Sequence, residues 1–168
     1  GMASERGEST VGAKVDILLG SAFKSAEFAA EPPGYRLVRG DNVKRGTIEW
    51  GDKSRYWRDP TPDLDKYRLE AGDVVVGMDG SRVGENFARI SEEDLPAFLV
   101  QRVACLRARH DLDQAFLHYL ICNPEFTAYI KAVHTGTSIP HISGSQIAAY
   151  PIPVPPRDEQ RAIAHILR

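Results

Sequence analysis

Hydrophobic and polar positions follow strand-like patterns in the first half of the chain. Val74-Val75-Val76 is the clearest strand, a β-branched run with turn residues on both sides. Val15–Leu19 predicts a strand or a helix end, Tyr35–Val38 begins an alternating strand, and Phe98–Leu106 predicts one further strand. Residues 80–84 predict a glycine-rich turn between strands. They do not form a phosphate loop, because they lack its Gly-x-x-x-x-Gly-Lys pattern.

Helical spacing dominates the second half. Asp111–Gln114 predicts a capping box, with its first residue at the N-cap and its last at N3. Asn123-Pro124 predicts the start of a second helix, and Ser143–Gln146 carries another capping signature. Alternate prolines in residues 151–156 exclude a helix and predict an extended segment.

Residues 157–168 predict a final helix with Ile163, Ile166 and Leu167 along one face. A helix of about a dozen residues is marginal in isolation. It must therefore pack on its own domain or on another chain, and the pattern leaves both open.

Length and composition fit one soluble domain. The chain has 168 residues, 42% of them hydrophobic and 26% charged, and no apolar run reaches the roughly 18 residues that a membrane helix needs. Residues 1–13 predict a flexible lead-in, with Gly1 typical of a tag-removal scar, followed by one domain over residues 14–156. The lead-in has no apolar run typical of a signal peptide, so we expect a cytoplasmic protein.

Charge is unevenly distributed, although the net charge is only −2. Residues 36–58 contain seven basic and three acidic side chains, so this segment is positive while the remainder is negative. A solvated face is the plain interpretation. Tyr35, Trp50, Tyr56 and Trp57 favour nucleic-acid binding somewhat, because aromatic faces can stack on bases.

Catalytic and metal chemistry have little support. Cys105 and Cys122 are too far apart for a Cys-x-x-Cys pair, and His134 and His141 fit no zinc spacing. A small hydrolase that uses these histidines with Ser138 lacks a placed acid. The Asn/Asp-Pro-Pro-aromatic pattern of adenine methylation is also absent. We expect no catalytic residue, metal or cofactor.

The ordered C-terminal run is the most specific pattern. Ile142–Ile163 places a short helix before Ile-Pro-Val-Pro-Pro and then a Glu-Gln pair that opens a helix. This run closely resembles the end of a target recognition domain in type I restriction–modification specificity subunits. Six further segments resemble the same family in the same order: Gly20–Phe28, Leu37–Val43, Glu70–Val76, Gln101–Ala104, the Tyr119-Leu120 helix and Gly136–Ile139.

The resemblance implies an α+β fold, a twisted mixed or antiparallel β-sheet with packed helices, ending in the start of a long helix. It implies a non-catalytic reader of double-stranded DNA that directs a methyltransferase subunit, and a restriction subunit where one is present. The family carries two such domains joined by paired helices, whereas this chain has one. A homodimer or a second recognition domain is therefore expected.

Two sets of residues are candidates for these contacts. The DNA-binding candidates lie on predicted loops: Lys24, Ser25, Arg39, Asn42, Lys44, Arg45, Arg55, Tyr56, Arg58, Ser81, Arg82, Thr137, Ser138 and His141. The subunit-contact candidates lie on the final helix: Glu159, Gln160, Ile163, Ile166 and Leu167. A protein-interaction module that has the same fold but no DNA function is the alternative.

Overall fold

A computed structural model describes residues 7–136 and 138–166. Its strands are β1 (Glu8–Thr10), β2 (Val15–Leu19), β3 (Tyr35–Val38), β4 (Val43–Lys44), β5 (Thr47–Ile48), β6 (Tyr56–Trp57), β7 (Val74–Gly77), β8 (Phe87–Arg89), β9 (Ala97–Leu99), β10 (Val103–Ala108) and β11 (Pro151–Pro153). Its α-helices are α1 (Val11–Lys14), α2 (Gln114–Cys122), α3 (Pro124–Val133), α4 (Gly144–Ala148) and α5 (Arg157–Ile166). None of these helices has the length and apolar character needed to cross a lipid bilayer.

The central sheet is antiparallel, in the order β2-β10-β7-β8. Val74 and Val76 of β7 face a core that contains the buried side chains of α2 and α3, whereas Val75 faces a second core with β3 and β9. Both faces of β7 are therefore covered, which explains why its sequence is uniformly apolar. The predicted mixed fold with an antiparallel sheet and packed helices is confirmed.

A smaller sheet, β6-β3-β9, packs beside the central one, with β3 antiparallel to β6 and parallel to β9. The expected single strand over Phe98–Leu106 is wrong. The chain reverses at residues 100–102, so β9 and β10 belong to different sheets. The apolar residues of both strands are largely buried, and the Gln101-Arg102 pair between them carries no Gly or Pro turn signal.

The helix starts agree with the sequence at two of three places. Asn123 caps α3 and Ser143 caps α4, each accepting a hydrogen bond from a backbone amide. The expected capping box at Asp111–Gln114 is wrong, because Asp113 is the N-cap and accepts from the Phe116 amide. Gln114 instead accepts from the Ala108 amide and donates to two backbone carbonyls.

The beginning of the described chain is ordered, in contrast to the expected lead-in over residues 1–13. β1 pairs antiparallel with β11, and Val11 of α1 is fully buried in the main core. The prolines of β11 point outward on either side of the buried Ile152. Residues 1–6 lie outside the described residues.

A pH-dependent stability is expected from His118 on α2. Burial lowers the pKa of His118 from its ordinary value of 6.5, and the positive charge of Arg89 lowers it further. Because folding disfavours the protonated His118 imidazole, the free energy of unfolding is highest above pH 6.5 and decreases as the pH drops below that value. Thermal unfolding between about pH 7.5 and about pH 5.5 should show this slope.

His118→Gln should remove most of the slope, and Arg89→Gln should reduce it. A slope in His118→Gln as steep as in the parent chain would show that other groups are responsible.

Candidate nucleic-acid interface

Several strands end on the same side of the two sheets. The backbone amide of Gln101 donates a hydrogen bond to the Ser21 carbonyl (2.9 Å), which joins the segment after β2 to the turn between β9 and β10. The Val100 amide reaches the Val38 carbonyl at 3.1 Å, and the Met78 amide reaches the Arg102 carbonyl at 3.1 Å. We call this side the loop end; it comprises residues 20–25, 39–42, 45–46, 78–86, 100–102, 131, 134–136 and 138–142.

The segment after α3, residues 134–136 and 138–142, folds back on itself at the loop end, and we call it the clasp. Thr135 and His141 exchange two backbone hydrogen bonds of 2.9 Å, and the Thr135 hydroxyl lies 2.7 Å from the His141 Nε2. The Gly80 amide donates to the Pro140 carbonyl at 2.9 Å, which ties the clasp to the turn after β7. This arrangement gives Thr135 and His141 a role in closing the loop. Ser138 is exposed beside them, and Thr137 lies outside the described residues.

Residues 80–84 connect β7 to the antiparallel β8, so the predicted turn between strands is confirmed. Ser81 and Arg82 are exposed on it. The Thr127 hydroxyl donates to the Gly84 carbonyl (2.7 Å) and fixes the turn against α3. The turn therefore presents one cation and one hydroxyl on a supported backbone.

Arg45 joins the loop end from the β4–β5 turn. It forms a backbone bridge with Phe87, and the Gly46 amide donates to the Phe87 carbonyl at 2.7 Å. The Arg45 side chain is 72% exposed. Glu85 lies between two cations, 3.9 Å from the Arg45 guanidinium and 3.6 Å from the Lys131 ammonium. One carboxylate for two cations leaves positive charge on this surface.

Lys24 and Ser25 are exposed at a single 3-10 turn over Ser25–Glu27, next to the segment that follows β2. Phe23 anchors this turn through an edge-to-face contact with Trp57 at a 4.9 Å centroid distance. The aromatic side chain therefore packs inside while the two polar residues remain free to meet solvent or a ligand.

Three residues at the loop end are absent from the sequence-based candidates: Gln101, Arg102 and Lys131. Gln101 is exposed at the turn between β9 and β10. Arg102 donates to both Asp79 carboxylate oxygens, at 3.0 and 3.1 Å, and to the Ile142 carbonyl. Predicting one strand over β9 and β10 hid this turn, and Lys131 lies on a predicted helix, whereas the DNA-binding candidates were taken from predicted loops.

Asn42 is unsuited to base contacts, which corrects its place among the candidates. It is fully buried, and its carboxamide accepts from the Arg39 amide and donates to the Glu49 and Lys53 carbonyls. Arg39 is also largely occupied, because its guanidinium donates to the Lys53 carbonyl at 2.6 Å and stacks on Phe28. Burial is the main cause that lowers the pKa of Arg39. Both residues shape the loop end from within.

The remaining candidates between residues 44 and 58 do not form one exposed face. Lys44 and Tyr56 are half-buried in β4 and β6. Arg55 donates to the carbonyls of its neighbours Asp52 and Ser54. Arg58 lies at the opposite end of β3, where it bonds the Glu31 and Pro33 carbonyls. The positive segment is thus divided between the loop end and structural contacts.

The final helix α5 packs on its own domain, which corrects one of the subunit-contact candidates, Gln160. Gln160 is fully buried; it accepts from the Asp113 amide and donates to the Asp111 and Pro155 carbonyls. Ile163 packs against the main core. Glu159 is exposed and Ile166 is 77% exposed, so they remain available, and Leu167 lies outside the described residues.

No three His, Cys, Asp or Glu side chains within residues 7–136 and 138–166 come together to hold a metal ion. The chemistry that the loop end offers is recognition: cations, hydroxyls, a carboxamide and backbone amides on short supported turns. These are the groups that proteins direct at phosphates and base edges.

Comparisons with known proteins point in one direction. Residues 19–168 match the family described as the type I restriction modification DNA specificity domain. The chain is 32% identical over 158 residues to the specificity subunit of the type I restriction enzyme EcoAI from Escherichia coli, across 91% of this chain and 26% of that protein. It is 31% identical over 160 residues to the MjaVIII specificity subunit of Methanocaldococcus jannaschii, across 92% and 36%.

Solved structures agree on the fold. A crystal structure of a type I restriction–modification S subunit from M. genitalium matches 95% of this chain and 37% of that one, with a TM-score of 0.66 and 23% identity. A chain from a structural study of type I R-M assembly matches with a TM-score of 0.70 and 21% identity, across 95% and 36%. The chain thus spans about a quarter to a third of its relatives' length.

Proposed function

Because this chain belongs to the family of type I restriction modification DNA specificity domains, we propose that it reads base sequence in double-stranded DNA through its loop end. The observation that carries this proposal is the convergence of exposed polar and basic residues from separate segments on one side of the sheets. Buried groups such as Asn42 hold those segments in place, so the surface is largely formed before DNA arrives.

Phosphate contacts and base contacts divide between two kinds of side chain. Lys24, Arg45, Arg82 and Lys131 are exposed cations that would fix the domain on the backbone of the duplex. Gln101, Ser81, Ser138 and His141 are exposed hydrogen-bonding groups of the type that distinguish base pairs in the major groove. The Gln101 carboxamide suits adenine, to which it can both donate and accept.

The chemistry of modification would belong to partners. We propose that the chain acts in the cytoplasm as a non-catalytic specificity component, which directs a methyltransferase subunit and a restriction subunit to the DNA it reads. The relatives are named specificity subunits, and this chain spans only part of them. A second recognition domain or a second copy of the chain would supply the other half of a complete site.

Charge removal at the loop end tests the proposal. We expect the chain to bind a random-sequence DNA duplex weakly at low salt, and Arg45→Gln/Arg82→Gln to bind about tenfold less tightly. Each lost phosphate contact should reduce the slope of log affinity against log salt by about 1. Fluorescence anisotropy across a salt series measures both quantities.

The matched control is Arg89→Gln/Arg161→Gln, which removes the same charge from exposed positions outside the loop end. Arg89 lies at the far end of β8, where it pairs with Val74, and Arg161 lies on α5. Equal losses in both double variants would reject the loop end as the DNA surface. Absence of duplex binding by the parent chain at low salt, with retained binding to a methyltransferase subunit, would favour the protein-interaction module.

A further inference from the structure

An isoleucine is displayed at the loop end instead of being buried. Ile139 is 68% exposed, and the other large exposed hydrophobic side chains of the described residues are Leu19 and Ile166. Leu19 ends β2 and lies against Gly144, just past the clasp, so two of the three belong to the same side of the domain. Exposed apolar area of this kind gains free energy only when a ligand covers it.

The clasp presents Ile139 on a supported backbone. Hydrogen bonds between Thr135 and His141 close the loop, and the Gly80 amide holds Pro140, the residue after Ile139. Gly136 has a φ of +88°, and a Cβ atom there would collide with the Ile139 carbonyl. Only glycine, which has no Cβ atom, therefore allows the backbone at position 136 to pass this close to the Ile139 carbonyl.

The surroundings favour a polyanion as the ligand. Arg82 is exposed on the turn to which the clasp is tied. Arg102 bonds the carbonyl of Ile142 at the end of the clasp, and its charge is balanced by the Asp79 carboxylate. Lys131 and Arg45 share the carboxylate of Glu85, which lies in the same β7–β8 connection as Gly80. A ligand that is complementary to this surface has phosphates to meet the cations and an apolar group to meet Ile139. In a DNA major groove that apolar group is the 5-methyl of thymine.

We propose that Ile139 contacts the 5-methyl group of a thymine and thereby specifies a T·A pair in the sequence that this chain reads. The proposal rests on the proposed function and adds one defined base contact to it. The contact is independent of hydrogen bonding, so it distinguishes thymine from cytosine and from uracil through one methyl group.

Thymine-to-uracil exchange isolates that methyl group. Random duplexes would be selected by the 168-residue chain at low salt, and the selected duplex would be resynthesised with uracil at each thymine in turn. We expect one position at which uracil lowers affinity about fourfold, the value of one buried methyl group. Ile139→Ser should bind the thymine and uracil duplexes equally, whereas Ile166→Ser, which changes a 77% exposed isoleucine on α5, should retain the fourfold preference.

Each other result overturns the inference. If the selected duplexes share a sequence in which no thymine responds to uracil exchange, the DNA function stands and the Ile139 contact is rejected. If the uracil effect persists in Ile139→Ser, another residue makes the contact. If no duplex is selected while Ile139 is covered by a protein partner, the proposed function falls together with the inference.

Discussion

Replacing Asp73 with alanine is expected to lower the free energy of unfolding by about 3–4 kcal/mol. Asp73 is almost fully buried, and its carboxylate accepts two hydrogen bonds of 2.8 Å from the Arg107 guanidinium and one from the Glu70 amide. This pairing raises the pKa of Arg107. Removing the carboxylate leaves a cation without its partner beside the sheet, and the exposed third of Arg107 limits the cost to the lower part of the range for a broken buried pair.

Asp65→Ala is the matched control. It also removes an arginine partner, but Asp65 and Arg68 are each about half exposed, so the expected cost is at most about 1 kcal/mol. Urea unfolding of both variants makes the comparison. Equal stability of the two variants would show that the buried pair contributes no more than a surface pair.

Replacing Gln160 with leucine is expected to cost about 3 kcal/mol. The apolar side chain has a similar volume but leaves the Asp113 amide and the Asp111 and Pro155 carbonyls without their partner. An unsatisfied buried polar group costs about 1–3 kcal/mol. Hydrogen exchange should show faster exchange along α5 and at the Asp113 amide, because these hydrogen bonds dock the helix.

Gln160→Glu tests the donors alone. It keeps an oxygen for the Asp113 amide but turns a carboxylate toward the Asp111 and Pro155 carbonyls, so it should be at least as destabilising as leucine. Glu159→Gln on the exposed face should stay within about 0.5 kcal/mol of the parent chain. Unchanged exchange along α5 in both Gln160 variants would mean that apolar contacts such as that of Ile163 are enough to dock the helix.

The sequence predicts features that depend on neighbours along the chain. Val74–Val76 is a strand because β-branched residues between turn signals have few alternatives. Asn123-Pro124 and Ser143–Gln146 start helices because a cap acts within three residues. The order of weak patterns was also informative, and the family it indicates matches residues 19–168.

Features that depend on distant partners escaped it. Gln160 is a polar residue in a segment that resembles a functional one, yet it is buried, and two of its three partners lie 47 and 49 residues away along the chain. The turn at Gln101 was invisible for the related reason that β9 and β10 are buried on both faces in separate sheets. Polarity therefore indicates which segments form loops but not which of their side chains face outward.

The pairing of β1 with β11 has a consequence for how such a domain can vary. These strands, and the Gln160 contacts of α5, lie near the start of β2 and the end of β10, where the Arg109 amide bonds the Lys14 carbonyl. The loop end is at the other extremity of the same strands. The first and last described segments are therefore adjacent to each other and remote from the loop end, so substitutions in the two regions should be additive. The loop end of such a domain can change while the packing of its two terminal segments stays the same.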